Sequence, residues 1–322
     1  MSDALFWEQH VCLPHSTSAE VGELLRYARP GGAYICVNVG YAPTTAAQTR
    51  ALLNHFRAGI ERDDHLMLAA TVDDVDAAHA DDRIAVAFDL EDAGPLEGDL
   101  DLVAEFYAAG VRSLLPTYNL RNAAGSGCLD THDDGLTRYG RDLVARMNEV
   151  GMLVDGSHCG IRTALDLCAA STDPVIYSHS GLRAVWDHPR NITDEQAVAV
   201  AETGGVIGIP GVGIFLGPNT ATVDAMVAHI DHAVSLVGID HVGIGSDFAF
   251  DADDINAEIA RNPHLFPESM TRWGLVQLIE PETLLLLESA LADRGYAPEH
   301  VAAIAGGNFR RVATQVWQPP AG

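Results

Sequence analysis

The segment MLVDGSHCGIRTALDLCAASTDPVIYSHS, residues 152–180, holds two short β-rich runs, 152–158 and 174–180, and each ends at or beside a histidine, His158 and His179. Strand, helix and second strand with the same reactive ending make the unit of a parallel sheet, so the fold turns on how often the unit recurs. Outward from this segment, β-rich runs recur at 4–10, 33–40, 83–91, 111–119, 205–213 and 241–248, which brings the number to eight. Between runs lie segments of helical periodicity, such as 45–63, 136–151 and 222–238, several closed by a glycine as a helix C-cap would be. Near-continuous apolar strands alternating with helices call for parallel pairing buried on both faces. Eight units predict an α/β fold of the (β/α)8 TIM-barrel type, with residues 1–322 as a single domain. The rival, a doubly wound open sheet, needs a glycine-rich turn after a strand, and no GxGxxG motif follows one here.

Barrel active sites gather at the C-terminal ends of the strands, and the reactive side chains fall there repeatedly. His10 and Cys12 end the first run, Glu91 the third, Tyr118 and Asn119 the fourth, His158 the fifth, His179 the sixth and Asp247 the eighth. A lone histidine reads first as a satisfied core residue. Two in neighbouring strand ends shift the reading to metal ligation, since imidazole is the commonest ligand. Glu91, in AFDLEDAG, follows a strongly apolar strand where a cation would relieve a buried carboxylate; a solvated loop acid is the plain alternative. Asp247, in GIGSDF, could ligate a metal or take a proton from water, or simply cap a helix. His55, His65, His79, His229, His232 and His300 read as surface residues, His15 beyond Pro14 is set aside, and Cys36, Cys159 and Cys168 read as small apolar fillers.

Composition narrows the chemistry further. Forty-five acids against nineteen bases give a net charge of −26, which repels phosphate backbones and anionic lipid and so argues against nucleic-acid and membrane partners. All nineteen bases are arginine. Without lysine there is no Schiff base, no phosphate-binding loop ending in GK and no carbamylated lysine bridging metals. Five cysteines in no paired spacing, an N-terminus without a signal pattern, and a longest glycine-broken apolar run (204–217) too short to span a bilayer predict a soluble cytoplasmic protein. A homodimer is left open.

The runs MLVDGSHCG (152–160), PVIYSHSGLRAVWDHPRNITDEQ (174–196), DHVGIGSDF (240–248) and IAGGNFRRV (304–312), in this order and spacing, resemble the renal or membrane dipeptidases, the M19 peptidases of the amidohydrolase superfamily. The resemblance runs from about residue 5 to about residue 317. It implies a (β/α)8 barrel with two zinc ions at the strand ends, bridged by a glutamate and a hydroxide that attacks the scissile amide. On this resemblance Glu91 matches the bridge, His158 and His179 the other ligands of one zinc, His10 and Cys12 the HxD pair of the second, and Asp247 the proton acceptor and donor. Cys12 is a departure from aspartate that leaves one zinc or two as alternatives; a thiolate is the softer, more electron-donating ligand. Where the family commonly places a histidine that polarises the substrate carbonyl, this chain has Tyr118, beside Asn119, at the substrate. Arg190 matches the arginine that grips the substrate carboxylate, Asn308 is structural support, and 250–281, with Trp273, is long enough for a lid. The implied activity is zinc-dependent cleavage of a dipeptide or similar small amide. A hydrolase of a lactam, lactone or other non-peptide amide, and a binding barrel that has lost catalysis, are the alternatives.

Overall fold

The computed structural model describes residues 5–268 and 272–319. Among the described residues ten strands are formed, all parallel: β1 (Phe6–Cys12), β2 (Ala33–Asn38), β3 (Leu66–Leu68), β4 (Ile84–Leu90), β5 (Val111–Leu114), β6 (Leu153–Asp155), β7 (Val175–Ile176), β8 (Ile207–Ile209), β9 (Val242–Ile244) and β10 (Phe248–Ala249). Eight of them run β7-β6-β5-β4-β2-β1-β9-β8, and a parallel bridge between Tyr177 and Ile207 joins the two ends into a barrel. The two extra strands lie off this ring, β3 on β4 and β10 on β1.

Along most strands the side chains alternate between two cores. Ile35, Val86, Phe88 and Ile244 face outward and pack with helix residues Leu53, Phe56, Phe106, Leu143 and Ile230. Trp7, Tyr34, Ala85, Leu153 and Ile176, from five different strands, share one cluster with Phe309, Val312 and Trp317. Side chains from five strands of a ring can meet only inside it. The helix Asn308–Val316 therefore closes the barrel near the strand starts, tied down by Asn308 Nδ2, which donates to the carbonyls of Ile239 (2.7 Å) and Val242 (2.8 Å).

The expected helices form at Ala46–Ile60, Arg138–Val150 and Val223–Val237, each started by a threonine whose side chain accepts a backbone N–H of the first turn. The fourth run is shorter than expected. β5 stops at Leu114, Pro116 breaks the ladder, and Tyr118 and Asn119 sit in the loop beyond. β1 carries an irregularity between Glu8 and Val11 against β2. Trp7 belongs to the inner cluster and Val11 to the outer, opposite to strict alternation, so one extra residue has been absorbed and His10 is turned toward the mouth. Among the described residues no helix is long and apolar enough to cross a membrane.

Candidate metal centre and substrate cavity

Six of the side chains singled out in the sequence come together at the mouth of the barrel. Glu91 Oε1 lies 2.9 Å from His158 Nε2, 3.4 Å from His179 Nε2 and 3.6 Å from His10 Nε2. Cys12 Sγ and Asp247 Oδ1 stand 3.6 and 3.7 Å from the same His10 nitrogen. Two overlapping groups, His10–Cys12–Asp247 and His10–Glu91–His179, keep their potential ligand atoms within 4.8 Å of one another.

Each imidazole is held from behind. His10 Nδ1 meets Asp89 Oδ2 at 3.0 Å, His158 Nδ1 meets Asn119 Oδ1 at 2.8 Å, and His179 Nδ1 meets Ser178 Oγ at 2.7 Å. Asn119 Nδ2 donates to the Leu265 carbonyl, which leaves its Oδ1 as acceptor and fixes the proton of His158 on Nδ1. The Nε2 of His158 is then an acceptor facing a carboxylate oxygen at 2.9 Å, a contact that only a proton or a cation can relieve. Backing of this kind is how metal-binding histidines are oriented. Three residues at the site take positive φ: Asn119 (56°), His158 (63°) and Asp247 (56°). For non-glycine residues this conformation costs energy and concentrates at functional sites.

Burial pushes the Glu91 carboxyl up to about 8 and raises Asp247 as well, while burial drives His158 and His179 well below the ordinary imidazole value. Burial also lifts the Cys12 thiol to about 12. His10 goes the other way: burial opposes its charge, but Asp89, Cys12 and Glu91 outweigh that and raise it. Buried acids that resist ionisation beside imidazoles that resist protonation fit a divalent cation, which would stabilise both in their ligating forms. One detail differs from a bridging carboxylate: Glu91 Oε2 accepts from Asn38 Nδ2 at 2.7 Å, so a single oxygen faces the histidines.

The cluster opens into a cavity of about 610 Å³. Arg190 reaches it from the loop after β7; the guanidinium donates to the His179 carbonyl at 3.4 Å and stacks over Phe215, and its buried Nε has no hydrogen-bond partner among the described residues. Tyr118 lies flat on the His158 ring, centroids 4.2 Å apart. Asn119 lines the cavity, yet its amide is committed to His158 and Leu265. From the expected lid segment, the helix Ala252–Arg261 and Phe266 border the cavity, Phe266 edge-on to Tyr118; residues 269–271 of that segment lie outside the described residues.

Two readings from the sequence need correction or addition. His229 is no surface residue: it is fully buried, and its Nδ1 accepts from the Leu182 N–H at 2.9 Å. Asp89 and Asn38 went unassigned although both touch the cluster. The signal for Asp89 was available, because Ala85, Ala87 and Asp89 sit two apart and so share the inner face of one strand.

The model of the family described as membrane dipeptidase (peptidase family M19) matches residues 13–319. An uncharacterised dipeptidase of Schizosaccharomyces pombe is 31% identical over 235 residues, 71% of this chain; the chain spans about half of that relative, 53%. An amidohydrolase of Pseudomonas aeruginosa superposes with a TM-score of 0.86 at 25% identity, covering 98% of this chain and 97% of its own. A metallopeptidase of Rhodobacter sphaeroides, solved with a phosphinate mimic of the dipeptide L-Ala-D-Ala, superposes with a TM-score of 0.72 at 24% identity, covering 97% of this chain and 86% of its own.

Proposed function

The chain belongs to the membrane dipeptidase family, peptidase family M19, and is a hydrolase of the dipeptidase type; from that premise we propose that it cleaves a dipeptide, or a similar small amide with a free carboxylate, with water activated at a zinc centre of one or two ions. The observation that carries this reading is the convergence of three imidazole Nε2 atoms on Glu91 Oε1, each ring held through Nδ1 by a buried partner. Glu91, His158 and His179 would hold one ion, and His10 and Cys12 would hold its neighbour. Divalent zinc there would lower the pKa of water and polarise the amide carbonyl.

The chain's own groups do the rest. Asp247, 3.7 Å from His10 Nε2, takes the proton of the attacking water and returns it to the leaving nitrogen. Arg190 lines the cavity and offers its guanidinium to the substrate carboxylate; a fork of donors suits that group. Tyr118, fixed against His158, donates its hydroxyl to the developing oxyanion. Asn119 orients His158. The phosphinate held by the Rhodobacter relative is the first ligand to try, on the ground of shared fold.

The test pairs metal content with turnover in wild type, Cys12→Ser and Asp247→Asn, the protein also being loaded with cadmium. We expect a thiolate-to-cadmium absorption band in wild type that is absent from Cys12→Ser, and about two zinc equivalents falling to one in that variant. Asp247→Asn should keep its metal and lose turnover by at least about a hundredfold. Full turnover by Asp247→Asn would end its assigned role, and cleavage of lactones in preference to every dipeptide would replace the substrate class.

A further inference from the structure

The helix Ala252–Arg261 brings two isoleucines to the cavity. Ile255 and Ile259, one turn apart, both line it, stay half-buried and belong to none of the apolar clusters formed among the described residues. The charged groups of the helix are answered among themselves. Asp251 caps it, accepting the N–H groups of Asp253 at 3.1 Å and Asp254 at 2.9 Å, and Asp254 lies 3.7 Å from Arg261. Glu258 accepts from Arg261 at 3.0 Å, from Asn262 at 2.7 Å and from the Tyr41 hydroxyl. What the helix offers the cavity is therefore apolar surface, which gains free energy when a ligand covers it.

Two rings extend the stripe. Phe266, held in place by Asn119 donating to the neighbouring Leu265 carbonyl at 3.0 Å, stands edge-on to Tyr118. Tyr41, in the loop after β2, is edge-on to the same ring with centroids 5.6 Å apart, and its hydroxyl is spent on Glu258.

The ring of strands decides which end of a substrate arrives here. From β7, which leads to Arg190, to β2, which leads to Tyr41, is four steps in either direction around a ring of eight. The two loops therefore stand across the mouth from each other, with the Glu91 cluster between them. The helix itself follows β10, which pairs with β1 next to β2. A dipeptide with its carboxylate at Arg190 and its scissile bond at the cluster sends its N-terminal residue toward Tyr41 and the helix. A cavity of about 610 Å³, in the range that holds drug-sized ligands, leaves room there for a large side chain.

We infer that Ile255, Ile259 and Phe266 form a specificity pocket for a large apolar side chain on the N-terminal residue of the substrate. The inference rests on the dipeptidase reading and deepens it by naming the substrate class: dipeptides that begin with leucine, phenylalanine or a residue of that kind.

The experiment compares wild type with the double variant Ile255→Ala/Ile259→Ala on dipeptides that share a C-terminal L- or D-alanine and begin with glycine, leucine, phenylalanine, lysine or glutamate. Both isoleucines lie outside the core clusters, so the variant keeps its core, and metal content is measured alongside. Wild type should prefer leucine or phenylalanine to glycine by about 10- to 100-fold in kcat/KM. The double variant should lose about tenfold on these two, mainly through KM, and change by less than about threefold on the glycine substrate. A wild type that cleaves the glycine, lysine or glutamate dipeptide as well as the leucine one would overturn the pocket and leave the dipeptidase reading standing. Equal losses by the variant on all five would do the same. Failure of metal-loaded wild type on every dipeptide would overturn that reading and this inference together.

Discussion

At the scale of single residues, the site is built from buried groups that could not stand alone. Asp89 has His10 as its partner, Asn119 has His158, and Ser178 has His179, so each imidazole taken out of water is answered at its Nδ1. The same rule governs His229 away from the cavity. Burial brings its pKa down to about 4 from the ordinary 6.5. The unfolded chain therefore binds this proton first, and the stability at stake is complete above pH 6.5 and drains away as pH falls toward about 4. His229→Gln, whose amide oxygen can still accept from Leu182, should flatten the decline of the urea midpoint across that window. An unchanged slope would assign the acid sensitivity elsewhere. Charge was the readable part of these residues; burial was not. Glu91, His158 and His179 could be singled out because each ends an apolar run. Asp89 lies one step inside such a run, and His229 sits on a helix face that the sequence alone leaves without a partner.

Among the elements, β1 and the segment 250–281 carry most of what is particular to this chain. The irregularity in β1 turns His10 to the mouth, and it escaped the sequence because a bulge depends on the partner strand rather than on local composition. Segment 250–281 meets the barrel through scattered ties. Glu258 bonds to the Tyr41 hydroxyl, Asn119 Nδ2 donates to the Leu265 carbonyl, Asn219 Nδ2 donates to the Leu275 carbonyl, and Leu278 bridges Val212. Its helix Ala252–Arg261 has no fully buried residue. A helix without buried residues opens at low free-energy cost, which suits a cover that admits substrate. Limited proteolysis should therefore cut first within 250–281, and the phosphinate dipeptide mimic should slow that cut several-fold. Cleavage at the same rate with and without the mimic would remove the lid reading.

For the molecule as a whole, hydrophobic periodicity was enough to reveal the barrel. Eight of the runs read from sequence became the ring, since strands buried on both faces are apolar at nearly every position. Two short strands, β3 and β10, were missed: three residues and two residues are too few to show a period. The net charge of −26 has a global effect of its own. Like charges repel across the folded surface, and salt screens them over a length of about 10 Å at 0.1 M. Raising sodium chloride from about 20 to about 200 mM should raise the thermal midpoint. A midpoint that stays level or falls would mean that local ion pairs such as Arg26 with Glu280 and Glu282 outweigh the general repulsion.

His10 belongs to the first strand and Asp247 to the turn after β9, yet the N–H of Asp247 donates to the carbonyl of His10 at 3.0 Å. On a ribosome, β1 emerges with one neighbour, β2, and waits for the other, β9, until most of the chain has been made. The pair of groups flanking Cys12 therefore does not exist in any nascent fragment that lacks the last quarter of the sequence. Ring closure is a late, long-range event, and topologies of that kind fold slowly. An ion held by His10 and Cys12 with Asp247 beside them would be captured only once the two ends of the sheet have met, and its uptake would serve as a clock for the closing of the barrel.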